Sequence, residues 1–310
     1  MRRSPAALIL TISLFMAVPT IAGQYEDATN AYDRGDYKTA YRLYKPMAEQ
    51  GNAYAQDNLG VMYEYGQGVP QDYAEAVKWF RKAAEQGYAP SQFKLGYKYE
   101  KGQGVPQNYS EAVKWYRRAA ERGNEIAQMS LGIMYEKGQS VPQDYAEAAK
   151  WHLMGAEQGN LICQKKIAFM YMKGQGVPQD YSEVVNWYRQ AADQGDADSQ
   201  NNLGLIYDSG QGVTQDFIEA VKWYSEAADQ GYASAQSNLG RMYTWGRGVP
   251  QDYVVAHMWF DLAASRFPAS EQKRRKIANR NREIVASKMT PAQIAEAKKL
   301  AKEWKPKKER

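Results

Sequence analysis

Cysteine and histidine are almost missing from this chain. Cys163 is the only cysteine, and His152 and His257 are the only histidines, in 310 residues. A single cysteine closes no intramolecular disulfide. Three such residues scattered over about a hundred positions give no Cys/His spacing of the kind a metal needs. A Ser/His/acid site would require a lone histidine to meet both partners by tertiary chance. No catalytic residue, no cofactor-binding residue and no metal ligand is therefore expected, and no cofactor. Long apolar runs are also missing beyond the first twenty residues, so no later segment reads as a membrane span.

The first residues follow an export order. Met1-Arg2-Arg3 is basic, Ala6 to Val18 is a largely apolar stretch, and Pro19 and Thr20-Ile21-Ala22 supply a break and small residues. Residues 1–23 are expected to be a cleavable signal peptide, with no transmembrane segment in the mature chain. Periplasmic residence in a Gram-negative cell is the expected location, with secretion beyond the cell left open.

Charge is unevenly placed. The total of 40 basic and 35 acidic residues hides a basic C-terminal segment, 268–310, holding 14 basic against 5 acidic residues. Residues 24–267 are mildly acidic, 24 basic against 30 acidic. The basic segment lacks the interleaved aromatics of a nucleic-acid surface, and no nucleic-acid partner is expected.

What the chain does have is a period. The string GQGVPQDY at Gly66 returns unchanged at Gly174, with close variants at Gly102, Gly138, Gly210 and Gly246. Every step is 36 residues, which sets six units: 52–87, 88–123, 124–159, 160–195, 196–231 and 232–267. A fixed period of this length marks a repeat array. Six copies of this loop, four of them Gly-Gln-Gly and none after a strand-like run, exclude a phosphate-binding loop, which occurs once.

Each unit reads as two helices. Leu59, Gly60 and Tyr63 lie on one side of the first, and Gly66 ends it in a left-handed conformation. Asp72 caps the second helix, with Glu75 in the capping-box slot. The same spacing recurs at Asn108/Glu111, Asp144/Glu147, Asp180/Glu183 and Asp216/Glu219. Val255 breaks it in the last unit, where a weaker cap is expected. Tyr73, Ala76, Trp79, Phe80, Ala83 and Ala84 form the apolar face of the second helix. Cys163 falls where other units have Ala55, Ser91, Ala127, Ser199 and Ala235, a small packed slot. His152 replaces the Tyr or Phe that follows Trp elsewhere, so both read as packing residues.

The ends differ. Residues 24–51 have a tight Gly35-Asp36 turn and read as a shorter, tetratricopeptide-like N-terminal cap. Residues 268–310 read as a basic helical cap with few apolar positions, Ile277, Ile284 and Val285. Thr290, Pro291 and Gln293 then start a last helix carrying Ile294, Ala297, Ala301 and Trp304, before a frayed tail from Lys305.

Residues 53–87 carry nearly complete the pattern A-x-A-Q-x-x-L-G-x-x-Y-x-x-G-x-G-V-x-x-D-Y-x-x-A-x-x-W-Y-x-x-A-A-x-x-G, and five further units repeat it. This resembles the Sel1-like repeat, a relative of the tetratricopeptide repeat. The resemblance implies an all-α fold, a right-handed α-solenoid of helix-turn-helix repeats, that binds a protein or peptide on its concave face. It does not by itself imply an activity. The penicillin-binding branch of the family places paired cysteines in each repeat, and this chain lacks them.

In related repeats the first helix of each unit lines the concave surface. The variable slots beside its Leu-Gly pair are the candidate partner-binding residues: Asp57, Asn58, Phe93, Lys94, Tyr97, Met129, Lys165, Lys166, Asn201, Asn202, Asn238 and Arg241. The asparagines suit hydrogen bonding to an extended backbone. Glu64, Glu100, Glu136 and Asp208 recur one repeat apart, either as a solvated face or as a strip for a basic peptide. The reading that follows is an exported scaffold or adaptor. A cell-wall-active or β-lactam-binding protein, or a secreted factor that meets a host protein, is the alternative.

Overall fold

The computed structural model describes residues 21–307 and is all-α. Among the described residues there are helix pairs and one 3-10 turn, and no strand. The chain divides into two compact units, Met1–Arg122 and Gly123–Arg310. The first holds α1 (Ile21–Asp33), α2 (Tyr37–Glu49), α3 (Ala53–Tyr65), α4 (Tyr73–Glu85), α5 (Ala89–Lys101) and α6 (Tyr109–Glu121). The second holds α7 (Glu125–Lys137), α8 (Tyr145–Glu157), α9 (Leu161–Lys173), α10 (Tyr181–Asp193), α11 (Ala197–Ser209), α12 (Phe217–Asp229), α13 (Ala233–Trp245), α14 (Tyr253–Arg266), α15 (Gln272–Ala286) and α16 (Pro291–Glu303). Within each unit every helix packs on the next in chain order, except that α16 packs on α14 rather than on α15. The fold is a helix-pair solenoid. The apolar run assigned to export, Ala6–Val18, lies outside the described residues.

Sequence chemistry sets both ends of most repeat helices. Gly66, Gly102, Gly138, Gly174, Gly210 and Gly246 all end a first helix in the left-handed region, φ between 63° and 69°, which glycine adopts without steric cost. First helices also start on a cap that the sequence reading overlooked: Asn52, Asn124, Asn160 and Asp196 each accept the N–H three residues on. Asp72, Asp144, Asp180, Asp216 and Asp252 cap the second helices by accepting two N–H groups each, and Asn108 accepts one.

The expected capping boxes do not form in these repeats. The cap's own N–H, which a Glu at the third position would take, already donates to the tyrosine carbonyl of the preceding helix: Asp72 to Tyr63, Asp144 to Tyr135 and Asp252 to Tyr243 at 2.9 to 3.0 Å. Glu75, Glu111 and Glu219 turn instead to the lysine three residues on, at 2.6 to 2.9 Å. Val255 therefore costs the last unit no cap, and Asp252 accepts from Val254 and Val255 at 2.8 and 3.0 Å. The reciprocal box forms at Thr290 and Gln293.

The core of five of the helix pairs is an aromatic ring laid on bare backbone. A Cβ at Gly60, Gly132 or Gly204 would sit 2.5 Å from the ring of Phe80, His152 or Tyr224. Helices approach this closely only where one presents no side chain. Trp79 and Trp115 in the first unit, and Trp151, Trp187, Trp223 and Trp259 in the second, are all buried alongside.

A row of buried glutamines joins one pair to the next. Gln56 donates to Ala48 O and receives Gln86; the same arrangement runs through Gln164 and Gln200 in the second unit. Each amide adds a side-chain donor from the next pair to a helix-terminal carbonyl that already accepts a backbone N–H, as at Ala48, Ala156 and Ala192.

The C-terminal segment closes the second unit. α15 packs on α14 through Ala278 and Val285, while Ile277 and Ile284 face outward. Leu300 and Ala301 of α16, with Trp304 just after it, join the last core cluster, and the Trp304 and Trp259 rings lie 6.1 Å apart. The segment expected to fray is tied down at Lys307, whose N–H donates to Asp229 O at 2.8 Å and whose ammonium meets the Asp229 carboxylate.

Cys163 shows how local packing is balanced. It is fully buried in the slot read as small, and its sulfur faces Gly155, which stands where other second helices have alanine. The larger first-helix side chain is matched by a smaller one opposite. Gly155→Ala would place a Cβ 2.6 Å from Cys163 Sγ. It is expected to destabilise the native chain by about 1 kcal/mol, overpacking outweighing the helix propensity gained. In a Cys163→Ala background the same change should stabilise by about 1 kcal/mol. Urea unfolding of the four proteins tests this; equal effects in both backgrounds contradict it.

Candidate functional site

First helices present one outward face in each unit. In the first unit it exposes Tyr54, Tyr65 and Tyr97, and in the second Ile126, Ile162, Phe169, Leu205 and Trp245. Second helices expose large apolar side chains only in their first turn, at Tyr73, Tyr109 and Ile218. The apolar surface is thus concentrated on first helices.

The predicted slots lie on or beside this face, but many are occupied by ties between neighbouring pairs. Asp57 is buried and accepts from Ser91 Oγ and Lys94 Nζ, both at 2.6 Å. Asn58 donates to Tyr25 Oη and Tyr54 O at 3.1 Å. Phe93 packs its ring 5.5 Å from that of Tyr116. Tyr97 remains 39% exposed. In the second unit Met129 is half-buried, Lys165 pairs with Asp196 and Asp198 at 3.2 and 3.0 Å, and Lys166 pairs with Glu136 at 2.8 Å.

The acidic row is likewise paired. Glu64 holds the buried Lys98 at 2.5 Å, Glu100 accepts from Tyr116 Oη at 2.7 Å, and Asp208 lies 3.8 Å from Arg241. These carboxylates hold pairs of helices together, so they do not form a free strip for a basic peptide. Sequence reasoning missed Lys98. A lysine in a slot occupied by methionine or isoleucine elsewhere was its only signal.

Three of the predicted asparagines converge. Asn201, Asn202 and Asn238 line a cleft of about 300 Å³ where α11, α13 and α15 face one another. Arg241 donates to Asn238 Oδ1 at 3.4 Å, and Asn238 donates to Asn201 Oδ1 at 3.0 Å, so the amides are held in order. Tyr232 donates to Asp198 at 2.8 Å on one wall; burial first, then this hydrogen bond, pushes its phenol pKa up. Arg274 reaches Ser234 Oγ at 3.4 Å and Glu271 at 3.0 Å on the other. Ser237, Leu205, Phe267 and Ile277 complete the lining. Arg274 and Ile277 were not legible as site residues, because they belong to the segment that leaves the period.

Neither histidine lies in the cleft. His152 is fully buried on Gly132, with Nε2 3.6 Å from Glu136 Oε2. Burial pushes its pKa down to about 4, assisted by Lys166 and opposed by Glu136. His257 is also buried and its pKa is lowered by burial. Burial pushes the Cys163 thiol up to about 12, which keeps it un-ionised near neutral pH. Among the described residues no group of three or more His, Cys, Asp or Glu is placed to hold a metal, and no helix is long and apolar enough to cross a membrane.

The fold and this face define a helix-pair repeat protein. The Sel1 repeat matches the chain over residues 22–52, 53–88, 89–124, 126–160, 162–196, 197–232 and 233–266, and the chain belongs to that family. The shorter first pair, read from its tight turn as a cap, is thus matched as a repeat too. The chain is similar to a protective antigen present in uropathogenic Escherichia coli strains that displays an SLR fold. The identity is 32% and the TM-score 0.54, over 92% of this chain and 68% of that one. It is also similar to a Sel1 repeat protein from Oxalobacter formigenes, at 33% identity and TM-score 0.59, over 77% of this chain and 96% of that one. No curated protein is matched.

His152 makes stability depend on pH. Its folded pKa is depressed from 6.5 to about 4, so between those values the unfolded chain binds a proton that the folded chain does not. Its contribution is present above pH 6.5 and is lost as pH falls toward 4, by up to about 3 kcal/mol. Urea unfolding at pH 7 and pH 4.5 should show His152→Phe flattening this loss; an unchanged slope contradicts the assignment.

Proposed function

We propose that the protein is a non-catalytic scaffold that binds a protein partner on the outward face of its first helices. The observation that carries this is the concentration of exposed apolar side chains there. Phe169 is 42% exposed and Leu205 40% exposed in the second unit, while second helices keep their aromatic residues inward beyond the first turn. Exposed apolar groups gathered on one face cost solvation unless a partner covers them. Many polar groups nearby are already spent on one another, so the face offers shape and apolar contact more than reactive chemistry.

Tyr97 and Phe169 are the strongest contact residues from the predicted set and its repeat-equivalent slot. Asn202 and Asn238 add hydrogen-bonding groups in the cleft. Buried Asp57 and Asn201 act through their neighbours, holding Lys94 and Asn238 in place. The N-terminal order of basic, apolar and small residues supports export, with the partner then in the cell envelope or beyond it.

A photo-crosslinking side chain placed at Phe169 in the full chain, expressed in its native cells, is expected to capture a discrete protein. The same group at the exposed second-helix residue Lys150 should not. Equal capture at both positions, or none at Phe169, contradicts the reading.

A further inference from the structure

The α15 helix carries charge and apolar surface that packing does not use. Arg282 pairs with Asp261, and Arg275 donates to Phe267 O, so these two hold the helix on α14. Lys273, Lys276 and Arg280 are exposed, and among the described residues none has a carboxylate partner. Ile277 and Ile284 are 56% and 46% exposed on the same side. The order Lys273, Ile277, Arg280, Ile284 follows steps of four, three and four, which puts all four on one stripe of the helix. One edge of that stripe enters the cleft, where Ile277 and Arg274 face Asn202 and Asn238.

We propose that this stripe and the cleft together bind an acidic, extended protein segment, one apolar side chain of which enters the cleft. The inference rests on the reading of the first-helix face as a partner surface, and it adds the partner's chemistry. The stripe's cations match carboxylates in the partner. The cleft's volume, about 300 Å³, suits one side chain and not a helix. The amides and hydroxyls of its lining can pair with an extended backbone, and the carboxylate in it, Asp198, is already engaged by Tyr232 and Lys165. A flat anionic lipid surface would leave the cleft unfilled. A second copy of this chain, whose residues 24–267 are mildly acidic, is the other competing occupant.

The test uses the full chain and fluorescent peptides of about twelve residues built from Glu-Leu-Glu, Ser-Leu-Ser or Lys-Leu-Lys repeats. Anisotropy should show the acidic peptide binding at about 100 µM or below, and at least about tenfold more tightly than the other two. Raising salt from about 0.05 to 0.5 M should weaken it. Lys273→Glu with Arg280→Glu should abolish the preference. Ile277→Ser, which leaves the charge intact, should weaken binding about threefold or more, as expected for one lost apolar contact. All of these positions are exposed, so folding, checked by circular dichroism, should be unaffected.

Three results overturn the proposal. One is no binding of the acidic peptide, or binding that the charge reversal leaves unchanged. Another is tighter binding to phosphatidylglycerol vesicles that the same reversal abolishes, which would assign the surface to lipid. The third is a concentration-dependent dimer in sedimentation that the reversal dissolves, which would assign it to a second copy. Crosslinking from Phe169 that succeeds while the acidic peptide fails would leave the scaffold reading standing and remove this one.

Discussion

A ring pressed on bare helix backbone sets the spacing of this protein. Phe80, Tyr116, His152, Tyr224 and Phe260 each lie against a glycine of the facing first helix, and no side chain separates them. That separation decides what else can reach across. The Gln56 amide spans from one helix end to the next because the helices are close. In the loop, Gly68 comes so near the Tyr37 carbonyl that a Cβ would lie 2.5 Å from it. Alanine at the remaining contact positions serves the same end. One unit departs from the rule: Ala168 stands in the glycine slot opposite Tyr188. The array is therefore built on missing volume as much as on buried area, and dispersion contacts at this density account for its specificity.

Much of the polar chemistry is spent within each unit. Lys98 is buried on Glu64, Lys166 meets Glu136, and Tyr116 donates to Glu100. Helices that would otherwise share only apolar contact gain a fixed register from these pairs. Buried or half-buried charges of this kind contribute orientation more reliably than net stability. The first-helix face keeps exposed aromatic and aliphatic groups, with an amide-lined cleft at the α15 end of the second unit. That arrangement, with many polar groups paired between helices and apolar side chains left exposed on the first helices, is the physical basis for proposing a partner on that face.

The period, the helix pairs, the glycine stops and the slots of Cys163 and His152 were legible because each rests on local chemistry repeated at a fixed step. Caps were half legible. Asp72 follows a rule of short range, but the fate of Glu75 depended on whether Asp72 N–H was free, which only the fold decides. The candidate site was legible as a helix face but not as a set of residues. Asp57 and Lys94 read as separate variable slots; 36 residues plus one in sequence, they become one ion pair in space. Arg274 and Ile277 escaped because a period says nothing about the segment that ends it. The glutamine row was printed in every repeat, and its meaning required knowing which carbonyls of the preceding helix the fold brings within reach.

Stability in this account is shared between neighbouring helix pairs of a unit. Hydrogen exchange followed by mass spectrometry on the full chain, comparing the native protein with Gly204→Ala, tests that sharing most directly. The substitution forces apart α11 and α12 alone. The account predicts faster exchange spreading to α9, α10, α13 and α14, because each pair borrows its burial from those beside it. Loss of protection confined to α11 and α12 would contradict it.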